Sequence, residues 1–147
     1  MIIRYLMEKD FQSIGFHETL SALKPTPFLP YKNELIYLER MRKEIYTLVA
    51  AENDEIIGML SYFREPKYYH DGKDCVHVED VAVHPKHQGR GIGRMLVEEL
   101  KKKIEQEGGA YKIILYCAPH NIEFYKKLGF RVAETQMRLD VVEREVV

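Results

Sequence analysis

Cysteine is scarce in this sequence and its charges nearly cancel, and both features narrow the class of protein. Cys75 and Cys117 are the only cysteines among 147 residues, too few for the disulfide framework of a small secreted domain. The formal net charge is −1, whereas a dedicated nucleic-acid-binding domain usually has a strong basic excess. We therefore expect a protein of a reducing, cytoplasmic compartment that has no nucleic-acid partner.

Long apolar runs and repeats are missing as well. The first ten residues, MIIRYLMEKD, include Arg4, Glu8 and Asp10, which is not typical of a signal peptide or a membrane span. No internal repeat, low-complexity block or long linker divides the chain. With 46% hydrophobic and 31% charged residues, the composition is that of an ordinary globular protein. We expect a single domain over residues 1–147 and no membrane partner.

The hydrophobic pattern predicts alternating strands and helices. Strands are expected over residues 2–6, 45–51, 55–63, 76–83 and 111–117, the last of them covered on both faces, with one or two more within 130–142. Helices are expected from Asp10, as N-cap, to Leu23, from Asn33 onward after a proline-rich break over residues 24–30, over residues 92–107, and from Pro119 to Leu128. Asn53 and Asp54 predict a tight hairpin turn between two of the strands.

The strand over residues 76–83 changes its buried face partway along. Val76 and Val78 share one parity while Val81 and Val83 share the other, which indicates a β-bulge across Glu79 and Asp80. The order strand, glycine loop, helix, strand from Val76 to Cys117 further predicts a βαβ crossover with one parallel strand pair.

The segment VHPKHQGRGIG, residues 83–93, lies where that strand ends and a helix begins. The first N–H groups of a helix have no intrahelical acceptor, and glycine lets the backbone approach a ligand closely, so the loop predicts a phosphate site. Its spacing fits neither the dinucleotide-binding fingerprint nor the Walker A loop. A tight turn without a ligand is the alternative.

Gln88 to Gly93, QGRGIG, resembles the Q/R-x-x-G-x-G/A signature of the GNAT superfamily of N-acetyltransferases. HVEDVAVHPKHQGRGIGRMLVEEL and NIEFYKKLGF resemble its larger motifs, and the order of elements fits that fold over nearly all of the chain. The resemblance implies an α/β (α+β) fold with a central mixed, mostly antiparallel β-sheet, one parallel βαβ crossover and helices on both faces. It also implies that acetyl-CoA is the acetyl donor to a primary amine.

The resemblance also assigns residues to acetyl-CoA, with main-chain groups of the strand pairing the pantetheine arm and the loop holding the pyrophosphate. These residues are Val81, Ala82, Val83, Gln88, Gly89, Arg90, Gly91, Ile92, Gly93, Arg94, Asn121, Tyr125 and Lys127.

Three residues are candidates for catalysis. Glu79, beside the glycine loop, is the expected base, acting directly or through a water, with Asp80 positioning the substrate or the bulge. The alternative is a solvated carboxylate pair on an edge strand. The resemblance makes Tyr125 the acid that protonates the leaving thiolate, which suits a phenol because its pKa lies above that of a thiol. Without the resemblance, Tyr125 is interpreted as an aromatic residue on the core side of an amphipathic helix.

The segments GFHETLSAL, EPKYYH and AYKIILYC are similar to the glucosamine-6-phosphate N-acetyltransferases, which are homodimers. This implies a homodimer and substrate contacts at Lys67, His77, Glu79, Asp80, Tyr111, Lys112, Tyr116 and Glu134. Two positions depart from that pattern: Tyr116 replaces an acidic residue, and Asp140 stands where an arginine is usual. The acceptor is therefore glucosamine-6-phosphate or a related amino sugar, another small amine, or a protein amino group.

The remaining candidates are weaker. Cys117 is interpreted as a buried structural thiol rather than a nucleophile, because no histidine partner is evident. His70, Cys75, His77, His84 and His87 lie near one another in sequence, but no second pair has metal-site spacing, so no metal is expected. A module that binds acetyl-CoA without catalysis, and an interaction module that uses a sheet edge, stay open as other classes.

Overall fold

The computed structural model describes residues 1–24, 26 and 31–144. The chain divides into two compact units, Met1–Leu115 and Tyr116–Val147. The first unit contains the sheet and the glycine loop, and the second contains a short helix and the C-terminal segment. The predicted break over residues 24–30 lies largely outside the described residues, and the single domain over residues 1–147 stays a prediction.

The first unit contains a five-stranded sheet in the order β1-β2-β3-β4-β5. The strands are β1 Ile2–Tyr5, β2 Tyr46–Glu52, β3 Glu55–Pro66, β4 Asp74–Val83 and β5 Ala110–Leu115. Neighbouring strands are antiparallel except for β4 and β5, which are parallel. The predicted hairpin is confirmed, since Asn53 and Asp54 both have positive φ angles, 52° and 62°, as a two-residue turn of this hand requires.

The helices are α1 Phe16–Ser21, α2 Tyr31–Glu44 and α3 Ile92–Glu107 in the first unit and α4 Ile122–Lys126 in the second. α3 joins the parallel strands β4 and β5, which confirms the crossover. Its apolar side chains recur at helical spacing, with Leu96, Val97 and Leu100 buried, and Gly108 ends it with a φ of 71°.

The two faces of the sheet pack against different helices. Phe16 of α1 and Leu38 of α2 form a core with Val49 of β2 and Met59 of β3. On the opposite face of β3, a side chain at Gly58 would overlap Ile92 and Leu96 of α3. Each fully buried side chain of this size contributes about 2 kcal/mol of hydrophobic stabilisation. Helices therefore cover both faces, as the resemblance implies.

The first predicted helix is wrong in its start and length. Residues 8–12 form a short 3-10 turn, and α1 starts only at Phe16. Gly15 interrupts the helix with a φ of 90°, and a Cβ there would lie 2.1 Å from the carbonyl oxygen of Ile56. Asp10 does not cap a helix that extends to Leu23, because its carboxylate binds the Arg4 guanidinium and the Met7 N–H. α2 likewise begins at Tyr31, so that Asn33 lies inside the helix.

Three predictions near the C-terminus are also corrected. β5 is the last strand of the sheet and only partly buried, rather than covered on both faces. It ends at Leu115, and Cys117 beyond it is exposed rather than buried. Residues 130–144 contain no strand, because apolar, β-branched residues form a strand only where a neighbouring strand accepts their main-chain hydrogen bonds.

Candidate active site

The predicted bulge in β4 is present. Ser61 of β3 pairs with Glu79, and Met59, two residues earlier, pairs with Ala82, three residues later. Asp80 and Val81 therefore oppose the single residue Leu60, which is the definition of a β-bulge. The extra residue frees main-chain groups of β4 from the ladder just before the glycine loop.

Glu79 projects from the sheet face that α1 and α2 partly cover. It shares that face with Ser61 of β3, its paired residue, whereas Val76 and Val78 fill the opposite face. The Ser61 hydroxyl is buried and lies 2.9 Å from that of Thr47 on β2. Glu79 and Asp80 are both exposed. An accessible carboxylate on a packed strand is available to accept a proton from a bound amine.

The glycine loop follows β4 through a 3-10 turn over Pro85–His87. Gly89 and Gly91 have φ angles of 82° and 79°, and a Cβ at either would have no heavy atom within 4 Å. Gly91 is the N-cap of the 16-residue helix α3, and no side chain caps this end. The loop therefore offers uncapped N–H groups beside open space, and these fit a pyrophosphate.

The other residues of the first unit that are predicted to bind acetyl-CoA present different groups to a ligand. Ala82, Ile92 and Gly93 are buried, so main-chain groups are all that they present to a ligand. The Gln88 amide donates to the Val83 carbonyl oxygen at 3.3 Å. Arg90 of the loop contacts Glu52 and Arg94 of α3 contacts Glu98, each at 2.8 Å.

The predicted acceptor residues Lys67 and His77 meet at Glu65, a residue that the sequence pattern does not predict. The Glu65 Oε1 atom lies 2.6 Å from Lys67 Nζ and 3.0 Å from His77 Nε2. Hydrogen bonds from Lys67, first, and His77 lower the pKa of the Glu65 carboxyl. The His77 ring stacks on Phe63, with centroids 4.4 Å apart and planes 6° from parallel. Ring stacking and the Glu65 hydrogen bond hold the imidazole in one orientation.

Tyr111 and Lys112 lie together on β5. The Tyr111 ring stacks on His70 at a centroid distance of 3.7 Å, and Lys112 Nζ lies 5.4 Å from the Tyr111 centroid. The Tyr111 hydroxyl is buried, and burial, followed by the neighbouring Tyr69 hydroxyl, raises its pKa. These contacts place an aromatic ring and an ammonium group beside each other on β5.

The second unit contains the other predicted residues. Tyr125 lies on α4, where its ring makes edge contacts with Phe124 and Phe130. Burial, and then the nearby Cys117, raises the pKa of the Tyr125 phenol. The other four predicted residues of this unit are exposed: Tyr116, Asn121, Lys127 and Glu134.

Two other findings concern residues outside the predicted site. A shallow groove of about 460 Å³ is lined by Glu8, Leu35, Leu38, Glu39, Arg42 and Lys43, and none of these is a predicted site residue. Within residues 1–24, 26 and 31–144, no helix has the length and apolar character needed to cross a membrane.

The sequence is similar to that of known acetyltransferases. A model of the Acetyltransferase (GNAT) family matches residues 6–130. A glucosamine 6-phosphate N-acetyltransferase of Trypanosoma brucei brucei is 37% identical over 143 residues, which cover 95% of each chain. Another from Dictyostelium discoideum is 31% identical over 138 residues, covering 88% of this chain and 84% of the relative.

Solved structures give the same picture. A Trypanosoma brucei acetyltransferase superposes with a TM-score of 0.87 at 34% identity, covering 95% of this chain and 99% of that one. The glucosamine-6-phosphate N-acetyltransferase of Arabidopsis thaliana also gives a TM-score of 0.87, at 28% identity, covering 95% of this chain and 97% of that one. These matches span the bulge, the glycine loop and α3 described above.

Proposed function

The chain belongs to the acetyltransferase (GNAT) family and is an acetyl-CoA-dependent N-acetyltransferase; we propose that it transfers the acetyl group directly to the amine of glucosamine 6-phosphate or a related amino sugar. The observation that carries the proposal is the bulged strand β4 leading into the uncapped N-terminus of α3. It combines an exposed carboxylate, free main-chain groups and a phosphate cradle within fifteen residues of chain.

The glycine loop is the proposed site of the pyrophosphate. The main-chain N–H groups from Gly89 to Arg94 donate hydrogen bonds there, helped by the positive end of the α3 dipole. Main-chain groups of Val81, which the bulge leaves without a partner of its own, and of Val83, which follows the bulge, pair the amides of the pantetheine arm. Bound acetyl-CoA supplies a thioester whose carbonyl carbon is open to attack by an amine.

Glu79 is the proposed proton acceptor. An attacking amine must lose a proton as its N–C bond forms, and the exposed Glu79 carboxylate takes that proton directly or through a water. Asp80, a residue of the bulge itself, helps to fix the strand and the substrate. Holding the amine close to the thioester carbonyl is itself a large part of the rate enhancement, because it replaces a bimolecular encounter.

Tyr125 is the proposed proton donor to the thiolate that leaves as the C–S bond breaks. This role rests on its place in the family motif NIEFYKKLGF and on chemistry, since a phenol with a raised pKa holds its proton in the neutral range. In the same motif, Asn121 and Lys127 are proposed to contact acetyl-CoA.

Two observations support the proposed acceptor: the names of the relatives and the side chains at the predicted acceptor positions. Relatives from several species are named glucosamine 6-phosphate N-acetyltransferases. Lys67, His77, Tyr111 and Lys112 offer cationic and aromatic groups suited to a phosphorylated sugar, and Tyr116 and Glu134 complete the proposed set. Tyr116 replaces an acidic residue and Asp140 replaces an arginine. Related amino sugars are therefore tested as acceptors beside glucosamine 6-phosphate.

A thiol-release assay with a panel of amines tests the proposal. The reduced protein and acetyl-CoA are incubated with glucosamine 6-phosphate, glucosamine, polyamines, amino acids and short peptides. We expect kcat/KM for glucosamine 6-phosphate or a related amino sugar to exceed that for polyamines, amino acids and peptides. A clear preference for a polyamine or a peptide would overturn the acceptor. Acetyl-CoA binding without thiol release from any amine would point to a non-catalytic module.

We also propose that the protein is a homodimer. Residues 131–144 are exposed and form no element, and they include Val132, Met137, Leu139, Val141 and Val142, which are 64–92% exposed. An exposed, β-branched apolar segment favours pairing with a second chain. Light scattering should give twice the chain mass of 17.3 kDa, and the monomer mass at micromolar concentration would contradict it.

A further inference from the structure

Three side chains with metal-ligand chemistry converge on the sheet face that also carries Glu79. A carboxylate oxygen of Glu65, the Cys75 Sγ and an imidazole nitrogen of His77 all lie within 4.8 Å of one another. We propose that these three residues bind a divalent cation of the zinc type. The sequence analysis expects no metal because no second pair has metal-site spacing, whereas strand pairing brings Glu65, ten residues before Cys75, beside Cys75.

The strand register explains the convergence. Glu65 of β3 pairs directly with Cys75 of β4, and cross-strand neighbours have Cβ atoms about 5 Å apart. His77 is two residues after Cys75, so both side chains project from the same face of β4. All three ligands therefore belong to two paired strands of a sheet and need no loop closure to meet.

The donor atoms suit zinc. Zn²⁺ prefers thiolate, imidazole and carboxylate ligands, and sites with three protein ligands keep a fourth position for water or a substrate. Bond lengths of about 2.0–2.3 Å place the ligand atoms of a tetrahedral site roughly 3.3–3.8 Å apart. The present separations of up to 4.8 Å need shifts of about 1 Å, within the reach of rotations of the Glu65 side chain.

Coordination here involves proton release but no redox step. The Cys75 thiol gives its proton to solvent as the Sγ–metal bond forms, and His77 binds through Nε2 with its ring proton on Nδ1. The metal takes the place of the present contact between His77 Nε2 and Glu65 Oε1, 3.0 Å long. Zinc keeps its charge state throughout.

Lys67 is the principal competitor for this site. Its ammonium lies 2.6 Å from Glu65 Oε1, and the Glu65 side chain is 42% exposed. Ion pairs this accessible contribute little to stability, so a cation that gains a thiolate and an imidazole displaces the lysine. Lys112, which pairs with Cys75 across the parallel ladder, adds further positive charge. We therefore expect weaker binding than at a closed structural zinc site.

The site would also affect acetyl transfer, a consequence that rests on the proposed function. His77 lies two residues before Glu79 on the same face, so bound zinc would occupy part of the proposed acceptor surface. We expect micromolar zinc to inhibit the transfer competitively with the amine and not with acetyl-CoA.

Calorimetric titration of the reduced protein with Zn²⁺, and absorption spectra with Co²⁺, test the site without an activity measurement. We expect one ion per chain and a cobalt spectrum with a thiolate charge-transfer band. Cys75→Ser and His77→Gln should each weaken binding at least tenfold, and Glu65→Gln about threefold or more. Lys67→Gln should strengthen binding, because it removes the competing ammonium.

Matched controls use the other thiol and the other histidine pair. Cys117 is exposed, and His84 and His87 have ring centroids 5.3 Å apart, so Cys117→Ser and His84→Gln should leave the affinity unchanged. Loss of binding in these controls, or its retention in Cys75→Ser, would overturn the proposed site. If Cys75→Ser fails to fold, the partly exposed His77→Gln decides alone. If zinc binds at Cys75 but does not inhibit acetyl transfer, the metal site is supported and the proposed position of the amine acceptor is contradicted.

Discussion

Glu52, the last residue of β2, holds Arg90 of the glycine loop in a two-point ion pair. The Arg90 Nη2 atom lies 2.8 Å from Oε2 of Glu52, and Nη1 lies 3.3 Å from Oε1. The hydrogen bond from Arg90 lowers the pKa of the Glu52 carboxyl, so Glu52 is ionised at neutral pH. A negative charge therefore stands beside the cradle proposed for pyrophosphate, and it partly cancels the charge of the loop arginine.

Replacing Glu52 by glutamine should strengthen acetyl-CoA binding. Removing one negative charge beside the proposed phosphate site relieves a repulsion that solvent partly screens, so the Kd should fall about two- to fivefold at low salt. The effect should fade above about 0.5 M salt, where the Debye length is only about 4 Å. Calorimetry checks both, with Glu52→Asp as the control that keeps the charge. Weaker binding in Glu52→Gln would instead mean that the ion pair organises Arg90 for the ligand.

Gly91→Ala should weaken acetyl-CoA binding at least tenfold. Gly91 has a φ of 79° and open space where a Cβ would stand, which is the space proposed for the pyrophosphate. Gly72 in the β3–β4 loop is a matched control, with a φ of 74° and the same open surroundings. Both alanines should lower the free energy of unfolding by about 1–2 kcal/mol, because alanine disfavours positive φ. Equal acetyl-CoA affinity in the two variants would contradict the assignment of the loop.

The features that could be predicted from the sequence are those with short-range causes. The change of parity between Val78 and Val81 predicts the bulge, because side chains alternate along a strand. The Asn53-Asp54 turn and the glycines before α3 are recognisable because their positive φ angles restrict which residues can occupy them. The crossover and the family resemblance follow from the order of these local features.

The features that the sequence does not predict depend on contacts between distant segments. The break before α1 follows from the contact of Gly15 with Ile56, forty-one residues later in the sequence. The position of Glu65 beside His77 depends on the register of β3 and β4. The exposure of Cys117 follows from where β5 ends, and an apolar run does not reveal whether a further strand will cover it.

Asp10→Asn should destabilise the protein in a pH-dependent way. Asp10 is 1% exposed and accepts hydrogen bonds from Arg4, at 2.7 and 2.8 Å, and from the Met7 N–H. Burial alone would raise the pKa of Asp10, but these partners outweigh it and lower the pKa. The carboxylate therefore stabilises the fold fully above its ordinary pKa of about 3.9 and loses that effect as the pH falls through the lower folded value.

Urea unfolding at two pH values measures the effect of Asp10. At pH 7 the free energy of unfolding should fall by about 2–4 kcal/mol in Asp10→Asn, and the difference from wild type should shrink as the pH falls below the ordinary pKa of about 3.9. Asp140→Asn is the control, since the Arg138–Asp140 contact is 2.6 Å long but more than three-quarters exposed. Such a pair contributes about 0–1 kcal/mol. An equal loss in Asp10→Asn at both pH values would contradict the ionised pair as the source.

Tyr125→Phe should lower turnover while leaving acetyl-CoA affinity nearly unchanged. The phenol ring packs against Phe124 and Phe130, and phenylalanine keeps that packing, so what is lost is the proton offered to the leaving thiolate. Losing a general acid typically costs 10²- to 10⁴-fold in rate, and steady-state kcat with calorimetric Kd measures the two effects separately. Since burial raises the pKa of Tyr125, turnover should not decline through its ionisation below about pH 10. Tyr37→Phe, at a 48% exposed residue of α2, should match wild type. Unchanged kcat in Tyr125→Phe would remove this residue from the mechanism.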